Sequence, residues 1–284
     1  MMKRTSCLVV CVWLITFLFL AAGQFTRAQE TDAGPSVQQI AEKCNKVAYY
    51  QGKDGSAKVA MTITDSQERK RNREFVILRR DDPPPSPDVE PDTYCGDQKF
   101  YVYFRLPADV NKMVFMVWKH VDKDDDRWLY LPALDLVKRI ASAEKRTSFV
   151  GSEFFYEDVS GRNINDDEHE LVKTTDDFYV LKNTPKDPES VEFAQYTMWV
   201  HRKTFVTVKV EYFDKKGEKY REYVALDVKP DIQGYPTVTK SQMKDLRTGG
   251  NTVIEYSDVK YDVDLPEDLF TERYLRRPPL KYLR

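Results

Sequence analysis

Groups that carry out covalent chemistry are scarce in this sequence. Only three histidines, His120, His169 and His201, occur among 284 residues, and none stands at a metal-ligand spacing. There is no GxSxG, no HExxH and no glycine-rich phosphate loop. No CxxC pair of the thioredoxin kind is present either. The convergent groups that catalysis needs are missing, so the chain is read as not an enzyme, with no cofactor and no metal. A carboxylate pair suited to glycoside cleavage stays open, because its separation is invisible in a sequence, but nothing selects one. A strong charge imbalance is lacking as well. The net charge is −2, and a mildly acidic balance argues against nucleic acid as a partner.

Long apolar runs are lacking with one exception. Lys3 and Arg4 precede "TSCLVVCVWLITFLFLAAG", and "FTRAQE" follows, with Thr26 and Ala28 at the positions a leader peptidase reads. This predicts a secretory signal over residues 1–28, cut after Ala28. An uncleaved anchor is the alternative, since the run approaches bilayer-spanning length. Loss of Lys3, Arg4 and Arg27 would take the net charge from −2 to −5. Residues 29–284 then form a single domain, soluble outside the cytoplasm. Cys7 and Cys11 leave with the leader, and Cys44 and Cys95 remain. An even count in an oxidising compartment points to a Cys44–Cys95 disulfide. The other reading is two free thiols, with Cys44 filling the apolar face of a helix.

What the chain does have is periodicity. "SVQQIAEKCNKVAYYQG" places Val37, Ile40, Ala41, Cys44, Val47 and Ala48 at helical spacing, with Ser36 to cap the start and Gly52 to end it. Beyond it come about a dozen period-two runs bounded by turn residues, among them "AKVAMTIT", "QKFYVYFRL", "KMVFMVWKH" and "FVTVKVEYF". Their short connections describe an antiparallel meander rather than βαβ units. "DDPPPSPDVEPDTYCGD", 81–97, is too proline-rich for a central strand. "TSFVGSEFFYEDVSGR", 147–162, fits one or two helical turns lying over the sheet. The cluster Asp122, Asp124, Asp125, Asp126 resembles the start of a calcium loop. However, Arg127 stands where the turn wants glycine, and no acid closes the loop. It is read as a solvated turn.

Two runs depart from simple alternation. "MVFMVW" (113–118) and "WLYL" (128–131) are apolar on both faces. Either both faces are covered, or one borders a cavity. By alternation, Leu129 and Leu131 share one face and Trp128 and Tyr130 the other. The leucine face, with Phe115 and Val117, is the expected cavity wall, because flexible aliphatic side chains suit acyl chains while Trp and Tyr carry a polar tip. Met61 and Ile63 of the first strand and Val208 and Val210 of "FVTVKVEYF" complete the expected lining.

The segments "YFRLPADVNKMVFMVW", "KDDDRWLYLPALDLVKRIAS", "FVGSEFFYEDVSGR", "GYPTV", "MKDLRTGGNT" and "LPEDLFTERYLRR" resemble, in this order, the LolA-like family of outer-membrane lipoprotein-sorting proteins. The resemblance implies a mainly β fold with some α: a curved, incomplete antiparallel β-barrel covered by a few helices around an apolar cavity. It implies a monomeric periplasmic carrier that shields the acyl chains of a lipid or lipoprotein between an inner-membrane exporter and an outer-membrane acceptor. The alternative is a lipid-sensing regulatory protein of the same fold that binds a signalling partner. The proline-rich loop with Cys95 departs from the family pattern. A bridge from it to Cys44 would staple the loop to the first helix and restrict opening.

Overall fold

A computed structural model describes residues 34–83, 86 and 95–284. The expected leader and most of the proline-rich loop lie outside the described residues. Residues 35–284 form one compact unit.

The unit opens with helix α1 (Val37–Tyr49), whose Ser36 Oγ accepts from Gln39 N while Gln39 Oε1 accepts from Ser36 N. This reciprocal cap satisfies two donors that a helix start leaves orphaned. Thirteen strands follow among the described residues: β1 (Asp54–Thr64), β2 (Lys70–Asp81), β3 (Gln98–Leu106), β4 (Val114–Lys119), β5 (Asp126–Leu131), β6 (Leu136–Ile140), β7 (Asp167–Thr174), β8 (Phe178–Pro185), β9 (Phe193–His201), β10 (Thr207–Asp214), β11 (Lys219–Ile232), β12 (Tyr235–Asp245) and β13 (Asn251–Tyr261). Helix α2 (Tyr156–Ser160) sits between β6 and β7, and α3 (Arg273–Arg276) follows β13.

All thirteen join one antiparallel sheet in the order β6-β5-β4-β3-β2-β1-β13-β12-β11-β10-β9-β8-β7. First and last strands pair in the middle, Met61 opposite Ile254. Each strand therefore neighbours its sequence neighbour all the way round, except β6 and β7. The sheet is a barrel left open at that one seam, and the chain crosses the seam through residues 141–166. Aspartates set several turns: Asp65, Asp214 and Asp245 each accept two backbone N–H groups from the residues that follow. This is the local bonding that favours Asp at turn starts.

From β2 to β5 both faces of the sheet are buried. On the inner face, Val59, Met61, Ile63, Phe75, Phe104, Phe115, Val117 and Leu129 form one core with Phe149, Phe154 and Tyr156 from the seam-crossing segment. That segment is a plug: Phe149 packs on Phe75, Phe104, Phe115 and Tyr156 with ring centroids 5.5 to 6.2 Å apart. On the outer face, Val76, Leu78, Tyr101, Val114, Met116 and Trp128 are covered by Leu265, Leu269, Phe270, Leu275 and Leu283 of the C-terminal tail. The tail is held by polar bonds too. Tyr101 donates to Tyr274 O at 2.7 Å, and Trp118 Nε1 donates to Phe270 O at 2.7 Å. Strands apolar on both sides thus have protein on both sides.

Candidate functional site

Between α1 and the inner face of the sheet lies a cavity of about 420 Å³. Side chains of β1–β3 and β7–β13 line it. Flat, those ten neighbouring strands would span roughly 40 Å at ~4.8 Å per strand, so the sheet must curl for one cavity to touch them all. The volume falls in the range of about 300–1,000 Å³ usual for small-molecule sites. It is well above the ~150 Å³ apolar cavity that admits benzene.

The helix supplies one wall. Ile40, Ala41 and Cys44 anchor α1 on Tyr179, Leu181 and Val200, and Cys44, Ala48 and Tyr49 turn toward the cavity. Met61, Phe75, Val102, Ile254 and Tyr256 supply the opposite wall. Gly161, at φ 79°, closes the plug against the helix. A Cβ there would stand 2.5 Å from the Tyr49 ring. Lys119, at the end of β4, fastens the same corner. Its ammonium donates to Ser160 O at 2.7 Å and lies 5.1 and 5.6 Å from the Tyr49 and Tyr50 rings. Burial pulls its pKa down to about 8.

The remaining side of the wall is charged but internally neutralised. Arg146 Nε and Nη2 grip Glu192 at 2.6 and 2.8 Å, and Nη1 bonds Glu157. Burial would raise Glu192, but the hydrogen bond and charge of Arg146 outweigh it and hold the carboxyl at about 2. Arg162 grips the fully buried Asp167 with two nitrogens at 2.9 Å, and Tyr196 donates to the same carboxylate at 2.7 Å. Arg221 pairs with Asp158 and stacks 3.9 Å from the Phe155 ring centroid. These pairs tie the plug to β7, β9 and β11. Their charges are spent on one another, so the polar wall offers hydrogen-bonded surface rather than a free ion.

The expected lining divides. Met61 and Val210 stand on the cavity wall. Ile63, Phe115, Val117 and Leu129 are on the same inner face but belong to the solid core, with Leu131 packed at its edge. Phe149, which does touch the cavity, packs on Phe115 at 5.5 Å, and the plug thus fills the space beside those residues. Val208 is displaced for a different reason. The register of β10 slips against β9 between Thr207 and Lys209, and Thr207 reaches the cavity instead. A one-residue bulge changes which side chain points inward. The disulfide expectation is corrected: Cys44 and Cys95 are free thiols. Cys44 faces the apolar contact of α1 and donates to Ala41 O at 3.2 Å, and burial drives its pKa up to about 12.

Among solved structures, a DUF1329 family protein from Desulfovibrio piger is 28% identical over 83% of this chain and 96% of its own, with a TM-score of 0.73. A putative outer membrane lipoprotein-sorting protein domain from Vibrio parahaemolyticus is 27% identical over 85% of this chain and all of its own, with a TM-score of 0.72. A LolA superfamily protein from Nitrosomonas europaea, at 21% identity and a TM-score of 0.63, shares the fold. No functionally curated protein matches the sequence. A family model described as that of an uncharacterized protein matches residues 96–277, well over half of the chain. The chain belongs to the family of this model, and its fold is LolA-like.

The LolA-like architecture accounts for the open barrel and its covering helix. What sequence reasoning missed in it is the ionic side of the wall. Arg146, Glu157, Arg162, Asp167 and Glu192 come from the plug, β7 and the residue before β9, and only the fold brings them together. One signal was present: the plug segment carries Glu157, Asp158 and Arg162 among its aromatic residues, where a simple apolar cover needs no charge. The aspartates of 122–126 are partly structural. Asp125 accepts from His120 N at 3.0 Å and pairs with Arg127, and Asp126 pairs with Arg139.

Proposed function

We propose that this protein is a periplasmic carrier that holds the acyl part of a lipid or lipoprotein in the cavity under α1. It takes its passenger from an inner-membrane exporter and gives it up to an outer-membrane acceptor. The observation that carries this reading is the cavity itself, walled by Met, Ile, Val and aromatic side chains between a curled sheet and a single helix. Each methylene moved from water into such a space gains about 0.8 kcal/mol, which favours uptake without any covalent step. Release is compatible with the same geometry, because the front of α1 rests on the sheet through an apolar contact, while Arg79 and Gln98 hold its far end at Tyr49 O as a hinge. A helix held by a few side chains opens at lower cost than a strand bonded on both sides. Likeness to the Vibrio protein, a putative outer membrane lipoprotein-sorting domain, supports the same reading.

Native mass spectrometry of protein taken from the periplasm tests the proposal. A bound mass that organic extraction releases as an acylated molecule is the expected result. Bare chain, together with no uptake of a fluorescent fatty acid in solution, would overturn it.

A further inference from the structure

We propose that the β5–β6 hairpin and the C-terminal tail together form a docking surface for a bilayer bearing anionic headgroups. The hairpin tip is unusually apolar for an exposed turn: Leu134 is 70% exposed and Leu136 46%. The tail runs against it. Arg276 Nε donates to Asp135 Oδ1 at 3.0 Å, and its guanidinium lies 5.8 Å from the Tyr130 ring centroid. Leu280, 59% exposed, sits on the last turn, whose Tyr282 and Leu283 pack on the outer-face core. Three leucines therefore project into water from the hairpin and the tail segment.

Charge decides the partner. From residue 273 to the end the sequence has Arg273, Arg276, Arg277, Lys281 and Arg284 and no acid. Arg273, Arg277, Lys281 and Arg284 make no ion pair among the described residues. Lys138, Arg139 and Arg276 are paired with Glu144, Asp126 and Asp135 and stay about half exposed or more. A face this basic on a chain of net negative charge is a local feature, not a general one. Charges on an edge strand guard it against unwanted pairing, and that accounts for Lys138 and Arg139. It does not account for the leucines or for the tail. Exposed apolar side chains together with exposed Arg and Lys match the pattern of interfacial membrane contact. They do not form the concave pocket that a protein anchor would fill. β6 also borders the open seam of the barrel, so docking here would hold the unclosed side of the carrier at the lipid surface. This extends the carrier reading, and its test is separate from that reading.

The test is sedimentation of the chain from Gln29, which retains the compact unit 35–284, with vesicles of phosphatidylglycerol mixed into phosphatidylcholine. Binding is expected to the anionic vesicles, to weaken with salt, and to be absent with phosphatidylcholine alone. Leu134→Glu with Leu280→Glu, and separately Arg277→Glu with Lys281→Glu, should each reduce it at least tenfold. Unfolding midpoints and fatty-acid uptake in vesicle-free solution should stay at the unsubstituted level. No vesicle binding, equal binding to neutral vesicles, or full binding by both variants would overturn the proposal. So would binding of an acidic polypeptide in place of vesicles, which would make the face a protein surface. Failure of the carrier reading would instead appear as absent uptake in solution.

Discussion

From β2 to β5 the sheet is covered on both faces, by the plug inside and the tail outside. From β8 to β11 it is covered on one face and partly hollow there, while the other face meets water. The outer side of that arm carries ion pairs such as Lys209–Glu211 and Lys219–Glu222. The inner side carries Leu181, Met198, Val210 and Tyr212, all on the cavity wall. Strands apolar on both faces therefore signal two layers of protein cover. The hollow region is reached mainly by strands apolar on one face, where a single helix bridges instead of a plug filling.

Substitutions separate the two arms by energy. Phe115→Ala, in the filled arm, should cost about 3–5 kcal/mol, and Leu129→Ala about 2–5 kcal/mol, read by denaturant unfolding. Both should leave fatty-acid uptake in the surviving folded protein unchanged. If either instead altered uptake at little cost in stability, the filled arm would be part of the container.

Breaking the buried polar wall comes next. Asp167 is fully buried and holds Arg162 and Tyr196. Asp167→Asn leaves Arg162 short of its charge partner and should cost about 3 kcal/mol or more. A cost below about 1 kcal/mol would mean that water reaches the pair, which would join the two arms into one open interior.

A smaller effect belongs to Lys119. Its pKa in the folded chain is about 8, against 10.5 ordinarily. Between those values the unfolded chain binds more protons at this group, so the lysine's contribution to stability should rise as pH climbs from about 8 to 10.5, against an opposite contribution from Cys44 above pH 9. Below pH 8 both states are protonated and the penalty for a buried charge is fully present. Lys119→Met should flatten that rise in thermal melts recorded across the window. An unchanged profile would remove the lysine from the corner where plug and helix meet.

The smallest expected change in stability is paired with a large change in binding. Ala48 is exposed on α1 and borders the cavity. Ala48→Trp should shift stability by no more than about 0.5 kcal/mol, as surface changes do. It should lower fatty-acid uptake at least tenfold by filling the space. Undiminished uptake would place the ligand elsewhere.

Much of the fold was legible because period-two patterning is a strong local signal. "QKFYVYFRL" is β3 residue for residue, and Ser36 caps α1 as its sequence predicts. The fold class was legible through the motif order as well. The site was less so. Alternation put Leu129 and Phe115 on the inner face, where they are, but no local rule says whether that face meets a plug or a void. The plug is brought there by the seam crossing, a long-range event. The bulge at Thr207 and Lys209 is equally silent in a run as regular as "FVTVKVEYF". The tail reads as a basic terminus, and its Leu265, Phe270 and Leu275 become a cover only beside Trp128 and Met116.

The central claim is that an acyl chain lies under α1 and not within the filled arm. A photoactivatable fatty acid, cross-linked to the protein and mapped by peptide mass spectrometry, tests it most directly. Adducts on Ala48, Met61, Ile254 or Tyr256 are the expected result. Adducts confined to Phe115, Leu129 and Leu131, or to the outer face, would contradict it.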